Sequence, residues 1–111
     1  MPDPQIFTHA ATTAWTDIAP GNRRRVLVHT PELMLVEAAL QSGITAPTHS
    51  HPHVQTTYVA SGKFDVTIDG RTETVVAGDS FIVPSGLVHG VHCVEAGSLI
   101  DTFTPRRDDF L

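Results

Sequence analysis

The sequence has one cysteine, few basic side chains and no long apolar run, and each shortage argues against a class of protein. A single cysteine, Cys93, cannot form a disulfide within the chain, which fits a reducing compartment. Lysine and arginine number 7 against 12 aspartates and glutamates, so the net charge is −5. Because phosphate binding normally requires a broad basic face, we expect no nucleic-acid partner. We interpret the run Arg23–Arg25 as the solvated start of a strand.

Membrane insertion and export are not expected either. No stretch approaches the roughly 18 apolar residues of a membrane span. The first residues lack the basic segment followed by an apolar one that characterises a signal peptide. We therefore expect a cytoplasmic protein with no membrane partner. With 111 residues, of which 41% are hydrophobic, the chain 1–111 is expected to form one domain around a single core.

Eight glycines and eight prolines divide the sequence into short pieces and leave little room for long helices. The β-rich pieces are residues 25–29, 33–40, 56–61, 63–69, 71–77, 80–83, 87–94 and 98–104. Within the second of them, every second side chain is apolar, as in a half-buried strand: Met34, Val36, Ala38 and Leu40. The pair Asp69-Gly70 has the composition of a two-residue hairpin turn. Strands at this regular spacing predict an all-β sandwich or small barrel.

Three of the seven histidines lie in the stretch THSHPHVQTTY, residues 48–58. His49, His51 and His53 alternate with other residues, and Gln55 follows at the same period. Side chains two apart on an extended chain point the same way, and the neighbouring prolines favour extended backbone. If the segment is one extended strand, these imidazoles converge on one face and form part of a metal site. The alternative is a polar loop rich in histidine.

Two motifs, separated by a hairpin, resemble those of the cupin family. The first has the order glycine, five residues, His-x-His, three residues, a further ligand, six residues, glycine, met here by Gly43, His49, His51, Gln55 and Gly62. The second has the order glycine, five residues, Pro-x-Gly, two residues, histidine, met here by Gly78, Pro84, Gly86 and His89. The resemblance implies an all-β cupin fold, a double-stranded β-helix or jelly-roll barrel, over about residues 33–104. It also implies one divalent transition metal ion (Zn, Ni, Mn, Fe or Co) bound by His49, His51, Gln55 and His89.

The chain departs from the cupin pattern at two positions. Gln55 replaces the usual glutamate ligand, and Cys93 replaces the closing asparagine of the second motif. A glutamine contributes a neutral carbonyl oxygen, so the full charge of the ion stays available to polarise a substrate oxygen. It also weakens the resemblance to the two-histidine-one-carboxylate triad of iron oxygenases. We interpret Cys93 as a small buried residue.

The remaining histidines are assigned less direct parts. His53 is either an alternate ligand or a partner that supports one, and the sequence leaves both open. His92 has the opposite parity from His89 and is predicted to point outward. His9 and His29 are expected to be structural or exposed.

The tail DTFTPRRDDFL, residues 101–111, together with stretches from Trp15 onward, is similar to small single-domain cupins of pectin and alginate breakdown, the KdgF-like family. The resemblance implies conversion of 4,5-unsaturated monouronates to linear ketonised sugars. It further implies that Asp101 acts as general acid–base, that Arg107 binds the substrate carboxylate, and that Phe103 forms an apolar wall. Without the family, Asp101 and Arg107 would be interpreted as a solvated strand end and a surface charge. Val54 stands where the family commonly has glutamate, which bears on the identity of the substrate.

Two other functions remain open at this point. One is a metal-dependent dioxygenase, and the other is a cupin that binds a small ligand without converting it. The expected partners are a sugar-acid substrate and a second copy of the chain, with the N-terminal segment 1–30 at the interface of a homodimer. Tyr58, whose parity is opposite to that of Gln55, is predicted to pack in the core or in the dimer interface.

Overall fold

The computed structural model describes residues 5–111, and this part of the chain folds into ten β-strands in two antiparallel sheets. The strands are β1 Thr16–Ala19, β2 Asn22–Thr30, β3 Leu33–Leu40, β4 Thr45–His49, β5 Val54–Val59, β6 Lys63–Ile68, β7 Arg71–Val76, β8 Ser80–Val83, β9 His89–Glu95 and β10 Gly97–Thr104. Short 3-10 helices span Ala10–Thr12 and Asp108–Phe110. One sheet has the order β1-β2-β3-β10-β5-β8 and the other the order β4-β9-β6-β7. The predicted all-β fold in a single domain is confirmed.

The two sheets bury an apolar core between them. The predicted alternation in β3 is confirmed, because Met34, Val36 and Leu40 are buried. The main core cluster takes residues from both sheets: Leu40, Val59, Phe64, Val66, Cys93 and Leu99. A smaller cluster of Met34, Val36 and Phe103 lies beside it. Period-two alternation along the strands therefore determines which side chains fill the barrel.

Two turns require the residues that the sequence has there. Asp69 and Gly70 connect β6 to β7 with φ angles of 49° and 79°, the left-handed conformation that a tight hairpin turn needs. Gly62, in the turn before β6, has φ 87°, and a side chain on it would approach the carbonyl oxygen of Glu95 to 2.6 Å. Both the backbone angle and the close approach therefore require glycine at position 62.

One sequence prediction about local structure is wrong, and two others hold only in part. The run Arg23–Arg25 is not simply solvated, because Arg25 pairs with Glu37 at 2.8 Å and the guanidinium of Arg24 lies over the ring of Phe110. Of the two places predicted for Tyr58, the core is excluded because the side chain is 53% exposed, and the dimer interface stays a prediction. Residues 48–58 do not form one strand, because β4 ends at His49 and β5 begins at Val54.

Of the N-terminal segment predicted at a dimer interface, residues 1–4 lie outside the described residues. Residues 16–19 and 22–30 of the same segment form β1 and β2 at one edge of the six-stranded sheet. No helix from Gln5 to Leu111 is long and apolar enough to cross a membrane.

Candidate metal and substrate site

The histidine segment crosses from one sheet to the other. His49 is the last residue of β4 in the four-stranded sheet, and Gln55 lies in β5 of the six-stranded sheet. His51 lies in the crossing, and His89 begins β9 directly opposite His49. The side chains converge because the chain bends between the sheets, and not because one strand presents them on one face.

Three imidazoles form a compact cluster. The possible ligand atoms of His49, His51 and His89 all lie within 4.8 Å of one another. In each ring, Nδ1 lies within hydrogen-bonding distance of a backbone carbonyl oxygen: that of Pro47 at 3.0 Å, of His53 at 3.1 Å and of Leu87 at 2.9 Å. A carbonyl can only accept, so each Nδ1 must carry the proton. Each Nε2 of a neutral ring then has a lone pair available for a metal ion.

The free nitrogens of His51 and His89 fit a cation. Nε2 of His51 lies 3.1 Å from the carbonyl oxygen Oε1 of Gln55, and Nε2 of His89 is buried without a hydrogen-bond partner in the described part of the chain. Burial lowers the pKa of both histidines, so the neutral rings are favoured. With Nδ1 protonated, the His51 nitrogen and the Gln55 oxygen are two acceptors that face each other, an arrangement that a shared cation stabilises. The three histidines could therefore hold a metal ion.

Gln55 also connects the histidine cluster to Asp101. Its amide nitrogen donates to Oγ1 of Thr57 at 3.0 Å and to Oδ1 of Asp101 at 3.4 Å, and the Thr57 hydroxyl donates to the same carboxylate oxygen at 2.6 Å. Thr57 lies opposite Asp101 in the β5–β10 ladder. Burial raises the pKa of Asp101 to about 6, against the effect of the hydrogen bonds from Thr57 and Gln55. The carboxyl group is thus poised to hold or release a proton close to neutral pH.

The C-terminal tail brings aromatic and cationic groups to the same site. The guanidinium carbon of Arg107 lies 5.2 Å from the ring centroid of Phe103 and 4.2 Å from that of Phe110. Phe103 is buried and its ring lies edge-on to that of His51. Asp109 accepts hydrogen bonds from Nε and Nη2 of Arg107 at 3.0 and 2.9 Å. The predicted carboxylate-binding residue is therefore already paired on one edge.

A cavity of about 150 Å³ joins these groups. Six of the seven residues singled out from the sequence as ligands or as catalytic and substrate-binding residues line it: His49, Gln55, His89, Asp101, Phe103 and Arg107. His51, the seventh, contacts Gln55 and Phe103 in its wall. The structure thus brings all of the sequence-predicted site residues together.

Two residues that belong to the site were missed from the sequence. Thr57 is 2% exposed and joins Gln55 to Asp101. Its parity, shared with Gln55, is the signal that indicates an inward side chain. Arg24 lines the cavity from β2. Arg24 was missed because it stands in a run of three arginines. Only alternation along the strand distinguishes the direction of its side chain from those of its neighbours.

The remaining histidines and the cysteine lie outside the three-imidazole cluster. The backbone carbonyl of His53 accepts from His51, and the two rings are 5.5 Å apart, so His53 supports His51 in the described structure. His92 is exposed, as predicted, and contacts Thr45 through Nδ1 at 2.7 Å. His9 and His29 are also exposed. Cys93 is buried in the apolar core, where burial raises the pKa of its thiol, and the prediction of a small buried residue is confirmed.

Comparisons with known proteins agree with this architecture. The sequence profile described as the cupin domain matches residues 36–103. The pectin degradation protein KdgF of Dickeya dadantii (strain 3937) is 38% identical over 101 residues, which are 89% of this chain and 92% of that protein. An RmlC-like cupin from Shewanella frigidimarina is 40% identical with a TM-score of 0.94, and the match covers 100% of both chains. The structure of KdgF from Halomonas sp. is 37% identical with a TM-score of 0.90, and the match covers 95% of this chain and 97% of that one.

Proposed function

The chain belongs to the cupin family, and we propose that it converts 4,5-unsaturated monouronates from pectin or alginate breakdown to linear ketonised sugars. The observation that carries the proposal is the contact of the histidine cluster with Gln55, whose amide nitrogen donates to the partly buried Asp101, in a cavity lined by arginine. Similarity to KdgF, a pectin degradation protein, over most of the chain supports the substrate class. The substrate carries a carboxylate, a hemiacetal and an enol ether. Each of these functional groups requires a different group of the protein site.

We propose that His49, His51, Gln55 and His89 hold one divalent transition metal ion, with Zn, Ni, Mn, Fe and Co all compatible with three imidazoles and an amide. When bound, the ion would supply electrophilic polarisation of a substrate oxygen. All four donors are neutral, so none of them reduces the charge of the ion. The orphaned Nε2 of His89 is the strongest support for this assignment.

The reaction is an isomerisation, and substrate and product have the same atoms. The hydroxyl group on C1 loses its proton, and the bond between C1 and the ring oxygen breaks. The electron pair of that bond remains on the ring oxygen, so C1 becomes an aldehyde and the former ring oxygen becomes the enol oxygen on C5. A proton then adds to C4 as the enol becomes a ketone. The protein must therefore take one proton from oxygen and deliver one to carbon.

Asp101 is proposed to move that proton. Its Oδ1 accepts from Thr57 and Gln55, whereas Oδ2 has no hydrogen bond within residues 5–111, so Oδ2 is the atom that exchanges protons with the substrate. The two donors on Oδ1 fix the orientation of the carboxyl group, which a general acid–base requires. The ring of Phe103 forms an apolar wall, and Arg107 contacts the carboxylate through the guanidinium edge that Asp109 does not occupy.

The test is conversion of 4,5-unsaturated galacturonate, prepared with a lyase and followed by loss of the absorbance of its double bond. We expect wild type to exceed the spontaneous rate, and Asp101→Asn to lose about 100-fold of the catalysed rate, a typical contribution of general acid–base catalysis. Asp17→Asn, at an exposed position of β1, is the matched control and should retain the rate. An Asp101→Asn variant that is as fast as wild type would overturn the proposed role of Asp101.

The same assay separates the two other functions. A dioxygenase needs oxygen and a redox-active metal, whereas ring opening should proceed anaerobically in protein reconstituted with zinc. A binding protein should bind the uronate and leave its absorbance unchanged beyond the spontaneous rate. Activity that disappears without oxygen, or binding without any catalysed loss of absorbance, would contradict the proposed isomerisation.

We further propose that the protein forms a homodimer through the outer face of the six-stranded sheet. The outward side chains there are mixed, with Thr56 and Ser80 among the polar ones, but two large apolar side chains are largely exposed: Tyr58 at 53% and Ile82 at 56%. An antiparallel sheet that faces water normally has polar outer residues, and two exposed large apolar side chains among them fit contact with a second copy in two-fold symmetry. Light scattering after size exclusion should give twice the chain mass for wild type and one chain mass for Tyr58→Asp. A monomeric wild type would overturn the proposal.

A further inference from the structure

Arg24 presents a guanidinium group to the cavity without a partner for its N–H donors. Its guanidinium carbon lies 3.6 Å from the ring centroid of Phe110, and its side chain lines the cavity with Asp101 and Phe103. Between Gln5 and Leu111, no hydrogen bond or ion pair engages this side chain. Stacking on the ring holds the group in place, and its donors remain available to a ligand.

The other arginines near the site are already engaged. Nε and Nη2 of Arg107 donate to the two carboxylate oxygens of Asp109. Arg25, next to Arg24 along β2, donates to Glu37 and to two backbone carbonyls on the other side of the sheet. Of the two arginines that line the cavity, Arg24 is thus the one whose bidentate edge is not occupied by a carboxylate of the described chain.

The charge of Arg24 is also poorly compensated. Burial lowers the pKa of its guanidinium, Arg107 lowers it further, and Asp109 acts in the opposite direction. An arginine remains protonated under any such shift. Two guanidinium groups therefore lie against one aromatic ring, at 3.6 and 4.2 Å from the centroid of Phe110, with one carboxylate close to both. A ligand anion in the cavity would supply the missing countercharge.

We propose that Arg24 is a substrate-binding residue that takes the carboxylate of the sugar acid through its bidentate edge and shares it with the remaining edge of Arg107. This inference rests on the proposed function for the identity of the substrate. Arg24 would then determine specificity, since a neutral sugar would leave both guanidinium groups without an anion. The contribution to a carboxylate ligand should be large, because charge-assisted pairs in a partly desolvated site are among the strong hydrogen bonds.

The test measures binding as well as turnover. Zinc-reconstituted protein is titrated with galacturonate, which has the carboxylate but no double bond to react, and with galactose as the neutral counterpart. Arg24→Gln should weaken galacturonate binding roughly 10- to 100-fold and leave galactose binding unchanged. With the unsaturated uronate it should raise KM by a similar factor with little change in kcat. Arg23→Gln is the matched control, because Arg23 is exposed, stacks on Trp15 and does not line the cavity.

The outcomes separate this inference from the proposed function. If wild type converts the uronate and Arg24→Gln binds galacturonate as tightly as wild type, the role of Arg24 is refuted and the proposed function remains. If wild type does not convert the uronate but its galacturonate affinity depends on Arg24, the carboxylate site remains and the proposed reaction is refuted. Should Arg24→Gln fail to fold, Arg24→Lys keeps the charge without the planar fork, and galacturonate affinity equal to that of wild type would overturn the bidentate contact.

Discussion

The interior of the barrel has an apolar half and a polar half, and the same strands build both. Along β9, His89 belongs to the histidine cluster, and Cys93, four residues later, belongs to the apolar core. Along β10, Leu99 belongs to the core cluster at the cavity wall, and Asp101, two residues later, lies among the polar groups of the cavity. Inward-facing positions thus become polar at one end of the barrel. Strand alternation explains which side chains point inward. Whether an inward side chain is polar or apolar depends on the end of the barrel at which it lies.

The two halves are stabilised differently. In the apolar half, burial of side chains such as Phe64, Val59 and Val66 supplies the hydrophobic contribution. In the polar half, buried groups form a hydrogen-bonded chain through Gln55 and Thr57, and two buried nitrogens, Nε2 of His89 and Nδ1 of His53, lack a partner in the described structure. An orphaned polar atom destabilises a fold unless a ligand satisfies it. The polar half is therefore organised for a ligand, and the apolar half for stability.

The largest effect is expected from removing a histidine of the polar half. His89→Ala should eliminate stoichiometric metal binding and reduce uronate conversion by more than about 100-fold, since the substitution deletes a proposed ligand. Stability of the metal-free protein should fall less than for a buried apolar ring, because removal of the orphaned nitrogen offsets part of the lost packing and of the lost bond to Leu87. Elemental analysis of protein purified without a histidine tag, together with the absorbance assay, checks both expectations.

His92→Ala is the matched control for that substitution. His92 lies on the same strand but is exposed and contacts Thr45 instead of the cluster. It should retain full metal content and activity. Equal metal content in both variants would show that the polar half does not bind metal through His89.

A substitution in the apolar half should lower stability and leave activity almost unchanged. Phe64→Ala removes a fully buried ring from the core cluster and should lower the free energy of unfolding by about 3–5 kcal/mol. Activity per folded molecule should remain close to wild type, because Phe64 does not line the cavity. Urea denaturation followed by tryptophan fluorescence measures the stability. Val76→Ala, at a half-exposed position on the neighbouring strand, should cost less than about 0.5 kcal/mol.

Thr57 lies where the two halves meet, and its substitution should affect catalysis more than folding. Thr57→Val keeps the shape but removes the hydroxyl group that donates to Asp101 at 2.6 Å, so kcat should fall about 10-fold. Thr57→Ser restores the hydroxyl and should recover most of the rate. Thr56→Val, at the neighbouring exposed position, should have no effect. A Thr57→Val enzyme with unchanged kcat would show that the orientation of Asp101 does not depend on this hydrogen bond.

The sequence predicts the apolar half better than the polar half for a physical reason. Alternation indicates the inward side chains of β3, and Asp69-Gly70 indicates the hairpin, because both signals are local. The convergence of His49 with Gln55 depends instead on a crossing between sheets, and the extended-strand interpretation of this segment is wrong. Cupin motif spacing still identifies the ligand candidates, since spacing along the chain does not require the correct local conformation.

Contacts across the barrel are the part that local patterns do not show. Arg24 lines the cavity and stacks on Phe110, a residue of the C-terminal tail that is distant from it in the sequence. Parity predicts Tyr58 in the core or in a dimer interface, and the structure excludes the core because the side chain is 53% exposed on the outer face of the sheet. Both cases depend on which surfaces of the folded chain meet. A short stretch of sequence does not show such contacts.

The smallest effect is expected at Cys93, which tests where the boundary between the halves lies. Its position in the cupin motif is close to the ligand His89, yet its thiol donates to the carbonyls of Leu40 and Glu95 and packs in the apolar cluster. Cys93→Ala should therefore lower the free energy of unfolding by about 1 kcal/mol and leave metal content and activity unchanged. Loss of metal in this variant would show that Cys93 belongs to the polar half. The boundary between the two halves would then lie further along β9. If Cys93 belongs to the apolar core, the metal content should stay unchanged and the free energy of unfolding should fall.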